Sequence, residues 1–307
     1  MLRFIFKRVL EAIPVLLIVA TLTFVLLKIM PGGPFDTEKV TTPEIKKQIE
    51  SYYGLDKPVW KQYVDYMDRL IFHGDLGPSY KYFGWSVNEL LAGSLPISLE
   101  LGCYGLAFAL VFGLIAGIIA SLRKNTAGDY VPMSIATLGI CIPSFVTGPL
   151  LILLFALKLR WFNTSGWYFP RDRVLPAITL GLYYMAYISR LTRGGMLEIL
   201  NQDFIRTARA KGASEWRVIW KHSLRGGLLS VVSFLGPAIS GIITGSLVVE
   251  TIFQIPGAAR FFVMAAFNLD GPMLMGTTLV FAVLIIVMNL LVDIAQVWLN
   301  PRLRFEE

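Results

Sequence analysis

Asp203-Phe-Ile-Arg-Thr-Ala-Arg-Ala-Lys-Gly212 is a short basic, alanine-rich stretch set between two apolar runs, at about 174–192 and 228–249. Each run is long enough to cross a bilayer. A helix rising 1.5 Å per residue needs about 20 residues to span the hydrocarbon core. A folded, charged loop between two such runs points to a membrane protein that presents a surface to something in the adjoining aqueous phase.

The rest of the chain agrees. Its 307 residues are 55% hydrophobic and only 16% charged, against about 25% charged in soluble domains. Besides the two runs beside the loop, four more qualify as membrane helices: about 9–29, 97–121, 131–157 and 273–299. The third in chain order, 131–157, is interrupted by Pro143 and Pro149, and the fifth contains Gly236-Pro237. Lipid offers no partner to a backbone amide, so these segments are read as helices, and the fold class as an all-α membrane protein with six transmembrane helices. The first run is longer than a signal-peptide core and ends in Lys28-Ile-Met-Pro-Gly-Gly-Pro34, so it is read as an uncleaved helix.

Net charge is +7. The basic residues sit in short loops beside apolar runs, which is a positive-inside pattern and not a nucleic-acid face. With the N-terminus inside, the inner side collects Arg3, Lys7, Arg8, Arg123, Lys124, the cluster from Arg190 to Arg225, and Arg302 and Arg304. Lys158, Arg160, Arg171 and Arg173 then lie outside, against the trend. Both termini are expected to be cytoplasmic.

Four regions follow: a first helix at 1–30, an extracytoplasmic helical loop at 31–96, a five-helix core at 97–300 with a cytoplasmic loop at 193–227, and a tail at 301–307. In the outer loop, Thr42-Pro43-Glu44 reads as a helix start. Pro58 opens another helix, where Trp60, Tyr63, Met67 and Leu70 recur at helical spacing. In the inner loop, Asn201 or Asp203 is placed to cap a helix, Gly212 to end it and Ser214 to cap a second. Phe204, Ala208 and Lys211 then share one face, and Ala208 and Gly212 leave room for a partner's backbone. Composition alone equally allows an amphipathic helix resting on anionic lipid.

Arg206-Thr-Ala-Arg-Ala-Lys-Gly212, followed by His222-Ser-Leu-Arg225, resembles the EAA loop of permease subunits from ABC importers of the dipeptide/oligopeptide/nickel group. The likeness extends along nearly the whole chain: Ile13-Pro14, Pro31-Gly-Gly-Pro34, Tyr53-Gly-Leu-Asp-Lys-Pro58, Gln62-Tyr63, Gly74-Asp-Leu-Gly77 with Ser79, Ile142-Pro-Ser-Phe145, Glu250-Thr-Ile-Phe253 with Pro256-Gly257, and Asp293 through Asn300-Pro-Arg302. The short segment Trp161–Pro176 is more similar to the B-type oligopeptide subunit than to the dipeptide one. The chain departs from the family pattern at Gly32-Gly-Pro34 and Gly257-Ala-Ala259.

The resemblance implies a type I importer permease fold with a helical insertion between the first two membrane helices. It implies a bacterial inner-membrane location, a second, homologous permease subunit and two cytoplasmic ATPases that bind ATP and magnesium. It also implies an extracytoplasmic peptide-binding protein. The coupling residues carried over are Phe204, Arg206, Thr207, Ala208, Lys211 and Gly212. The chain has no GxxxxGK[ST] and therefore no P-loop of its own, so a non-catalytic subunit without a cofactor is expected. Ser144, Phe145 and Pro237 are candidates for the translocation path. Dipeptides, nickel chelates or glutathione remain open as cargo.

Other chemistries find thinner support. His73 and His222 fall on opposite sides and cannot share a metal, so no metal site is expected. Glu100 and Glu250 lie near outer helix ends, and Asp293 lies deeper. One deep carboxylate is slight material for a proton-coupled secondary transporter, and a membrane-embedded hydrolase would need paired residues that are missing. Cys103 and Cys141 read as small core residues.

Overall fold

A computed structural model describes residues 2–33, 35 and 43–299. Pro34, the segment 36–42 and the tail from Asn300 onward, including Arg302 and Arg304, lie outside the described residues. The described residues are helical, in the order α1 (Leu2–Ile29), α2 (Pro43–Tyr52), α3 (Val59–Asp68), α4 (Val87–Leu122), α5 (Ala127–Cys141), α6 (Ser144–Leu151), α7 (Val174–Leu200), α8 (Asp203–Ala210), α9 (Glu215–Arg217), α10 (Leu224–Gly227), α11 (Leu229–Ile252), α12 (Ala259–Asn268) and α13 (Gly271–Leu299). A wide helical turn, Ile152–Lys158, continues α6, and another, Val218–Ser223, joins α9 to α10.

Five helices among the described residues are long and apolar enough to cross a membrane, beginning with residues Ile5–Ile29 of α1. The expected third span is not one rod. Ala127–Cys141 and Ser144–Lys158 meet at a bend of 110°. The break falls at Ile142-Pro143, both extended, because proline bars the preceding residue from helical geometry. Pro149, by contrast, lies within α6, and Pro237 within a continuous α11. The second span starts at Val87, earlier than its apolar run, and α7 continues to Leu200 through Arg190 and Arg193.

The chain forms two compact units, 1–97 with 257–284, and 98–256 with 285–307. In the first, α2 and α3 start at the two prolines that the sequence marked, Pro43 and Pro58. Leu76, Val87, Leu91, Phe261 and Met273 form one buried cluster, and Ala20, Phe24, Tyr66, Met67, Met275 and Leu279 another. Asp270, almost fully buried, caps α13 by accepting from the Met273 amide at 3.2 Å. Its other oxygen accepts from the Ser79 hydroxyl and the Lys81 amide, which pins the chain after α3 to the start of α13.

The second unit is built around α7. Without a hydrophobic force between helices in lipid, small residues that let backbones touch decide the packing. A Cβ on Gly181 would stand 2.4 Å from the Gly105 carbonyl oxygen of α4, and one on Gly195 would stand 2.3 Å from the Gly227 carbonyl of α10. Gly113 and Gly117 meet Ile188 and Thr192 of α7 in the same way, and Gly139 of α5 meets Leu182. Cys103 and Cys141 correct the expectation of core positions: both are free and exposed on the apolar surface of the chain.

A methyl group at Gly195 has to push α10 off α7, so Gly195→Ala should destabilise the chain by about 1–3 kcal/mol. Gly194 has open space around its Cβ position, so Gly194→Ala should be neutral or stabilising by up to about 1 kcal/mol. Thermal unfolding of the two variants, purified side by side, separates a packing role from a helix-propensity effect.

Candidate functional site

The loop between α7 and α11 folds as two short helices at a tight corner. Leu200 ends α7, and Gln202 is extended with ψ at 151°, which starts α8 at Asp203. Neither Asn201 nor Asp203 is the N-cap. Gln202 occupies that position, with no side-chain cap, and the Asn201 amide donates back to the Leu197 carbonyl at 2.9 Å.

The end of α8 follows the expectation for Gly212. The Gly212 amide donates to Arg209 O at 2.9 Å and the Ala213 amide to Ala208 O at 3.1 Å. This is the paired bonding of a Schellman stop, and it needs the left-handed φ of +80° that Gly212 adopts. Ser214 then caps α9 by accepting from the Arg217 amide. Across the corner, Arg209 grips both oxygens of Glu215, at 2.8 and 3.1 Å. That carboxylate holds the Arg209 guanidinium above its ordinary pKa. The pair is exposed, so it contributes at most about 1 kcal/mol and fixes geometry more than stability.

Burial divides the six expected coupling residues from their support. Phe204, Arg206, Thr207, Lys211 and Gly212 are exposed, and Ala208 is half-buried on the flank. The exposed face of α8 therefore carries Phe204, Thr207 and Lys211, with Ala208 at its edge. Thr207 folds its hydroxyl back onto Asp203 O at 3.0 Å. The residue missed in the sequence is Ile205, fully buried on the opposite side, with Val218 likewise buried after the corner. Ile205 stands 100° round the helix from Phe204, so the two adjacent apolar residues face different ways, and the sequence does not say which one is buried.

Behind α8, Asp129 near the start of α5 accepts from Arg193 Nε at 2.6 Å and Nη2 at 2.7 Å, and from the Asn125 amide at 3.0 Å. Asp129 is 1% exposed. It clamps the α4–α5 turn to α7 two turns before the corner that leads into α8. At the other end of α7, Arg173 donates to Glu100 at 2.7 Å and stacks on Trp167, whose indole N–H donates to the same carboxylate at 3.0 Å. Ser98 donates to the buried Glu250 at 2.6 Å. Glu100 thus neutralises one of the four basic residues that ran against the loop-charge trend. Of the path candidates, Ser144 and Phe145 open α6 at the bend and Pro237 is exposed on α11, with Phe145 62% exposed.

Two family profiles match most of the chain. The binding-protein-dependent transport system inner membrane component profile covers residues 109–305, and its N-terminal companion covers 1–88. The chain belongs to this family. It is 45% identical over 307 residues to the oligopeptide transport system permease protein OppB of Haemophilus influenzae, covering 99% of this chain and 100% of that one. It is 44% identical to the dipeptide transport system permease protein DppB of Bacillus subtilis, covering 100% and 99%. Among solved structures, an amino acid ABC transporter with histidines matches with TM-score 0.51 at 17% identity, over 70% of this chain and 94% of that one. The inward-facing MetNI methionine ABC transporter matches with TM-score 0.54 at 15% identity, over 69% and 96%. The fold is that of a type I ABC importer permease, and the family member described here is a multi-pass membrane protein.

Asp129→Ala leaves Arg193 without its buried partner. Since Arg193 is partly exposed and can turn to water, the cost should be about 1–3 kcal/mol, that of charge-assisted hydrogen bonds and not of a stranded buried ion. Denaturation of Asp129→Ala, Arg193→Ala and the double variant should give a coupling energy that accounts for most of the single losses.

Proposed function

We propose that this chain is one of two pore-forming subunits of an ABC importer for peptides, oligopeptides first among them. It pairs with a similar but distinct permease subunit, and both termini face the cytoplasm. Two ATPases, which hold ATP and magnesium, dock on the corner formed by α8 and Gly212, and a binding protein delivers cargo from the opposite side. The names of the oligopeptide and dipeptide relatives, matched over full length, support the cargo.

The observation that carries the docking reading is the contrast within α8. Ile205 is buried while Phe204, Thr207 and Lys211 stand free on the outer face, next to a glycine with open space around it. A helix that only rested on lipid would turn its apolar side outward; this one spends Ile205 holding its place and presents a mixed face with room beside it. When two ATPases close on ATP, α8 is carried with them. The Gly195–Gly227 contact and the Arg193–Asp129 clamp then pass that displacement to α7, α10 and α5 as one body.

Ala208→Glu should leave membrane insertion and assembly intact but uncouple ATP hydrolysis from peptide uptake in reconstituted complexes. Gly212→Asn, which tolerates a left-handed φ, should retain more coupling than Gly212→Val, which does not. Normal uptake by Ala208→Glu would remove the docking assignment. Purification from native membranes with mass spectrometry should recover two ATPases; a lone homo-oligomer whose uptake follows a proton gradient would replace the whole reading with a secondary transporter.

A further inference from the structure

Three faces of α7 are occupied. Gly181, Ile188 and Thr192 meet α4, Leu182 meets α5, and Tyr184 sets its hydroxyl against Gly241 of α11. A fourth face is open. Tyr183 is 44% exposed, Tyr187 is half-buried beside it with ring centroids 5.0 Å apart, and Arg190 follows one turn on, exposed. Phe234 of α11 stacks on Tyr187 at 5.4 Å and extends the strip sideways. Next to it α11 exposes Ser233, Pro237 and Thr244, one helical face at i, i+4 and i+11.

Depth makes this strip informative. The apolar span runs over Pro170–Leu200, and Tyr183 lies about 13 residues in, roughly 20 Å at the helical rise. Ser233 and Thr244 return their hydroxyls to their own helix, at 3.1 and 3.2 Å, and would be tolerated by lipid. A tyrosine hydroxyl stands too far from its own backbone to do this. The Tyr183 and Tyr187 hydroxyls pair with each other, and because one O–H makes that bond, the second O–H is left to donate outside the pair. The Arg190 guanidinium on the same line donates to the Thr137 hydroxyl of α5 at 3.4 Å and marks the inner end of the strip. Pro237 adds an acceptor, since it has no N–H to return to the Ser233 carbonyl.

We propose that Tyr183 and Tyr187, with the Pro237 notch of α11, line the water-filled route and hydrogen-bond the main chain of the passing peptide whatever its side chains. The inference rests on the peptide-importer reading for its cargo. A phenolic hydroxyl both donates and accepts, and so serves peptide C=O and N–H alike. The aromatic faces give an uncharged, rigid wall against which side chains of either sign can slide. Ser144 and Phe145 are not needed for this contact.

The test uses the assembled complex in lipid vesicles, with Cys103→Ser and Cys141→Ser as background. Tyr183→Cys and Tyr187→Cys should react with a charged, water-soluble methanethiosulfonate, and saturating peptide should slow that reaction. Reaction with a lipophilic maleimide alone would place the strip against lipid, and no reaction with either reagent would place it inside the subunit interface; both overturn the proposal. Tyr183→Phe and Tyr187→Phe should each lower maximal ATP-driven uptake about threefold to tenfold, the worth of one hydrogen bond. The fall should be equal for trialanine, trilysine and triglutamate; a fall confined to one of them would overturn the main-chain assignment. Thiol labelling does not require transport. If the unsubstituted complex takes up no peptide, the function reading fails while labelling still decides whether the strip is wet.

Discussion

Backbone touching backbone along α7 is the constraint on which the second unit depends. At Gly181 and Gly195 there is no room for even one carbon between α7 and its neighbours. In lipid, where apolar burial gives helices no reason to associate, such contacts supply the van der Waals area that holds a bundle together. They also make the bundle stiff. Helices locked by main-chain contact slide past each other less readily than helices separated by long side chains. A push delivered at the end of α7 is therefore shared by α4, α5 and α10.

The polar contacts sit at the two ends of this rod and have different roles. Asp129 and Arg193 fasten the turn between α4 and α5 to the end of α7 that leads into α8. Glu100, Arg173 and Trp167 close the far end. In each case a carboxylate takes both a charged partner and a neutral donor. Between them the open face of α7 carries the paired hydroxyls of Tyr183 and Tyr187, which suits the wet face proposed for it.

Much of this could be seen in the residues. Apolar length located the membrane helices, proline located the starts of α2 and α3, and the Gly212 stop and Ser214 cap lie where local chemistry put them. What could not be seen depended on tertiary contact. The run 131–157 is apolar enough for hydropathy to treat it as one span, and its prolines do not say which of them breaks it: Pro143 turns the chain while Pro149 stays within α6. Ile205 and Phe204 are equally greasy, and packing alone decides which one is hidden. Cys103 and Cys141 sit in apolar runs, but in a membrane protein an apolar run does not imply an interior. Tyr183 and Tyr187 went unread because a tyrosine within a span has no meaning until the helix faces are assigned.

The break at Ile142-Pro143 bears on how the protein is made. Each half of the bent segment is 15 residues long, about 22 Å as a helix, short of the roughly 30 Å of hydrocarbon. In the sequence the two halves adjoin as a single apolar stretch, with Pro143 between them. The corner is set locally by Pro143, and its packing is completed where Gly139 meets Leu182 and Gly148 meets Ile252. Since Ile252 follows Gly148 by more than a hundred residues, that packing cannot be complete until α11 has been made.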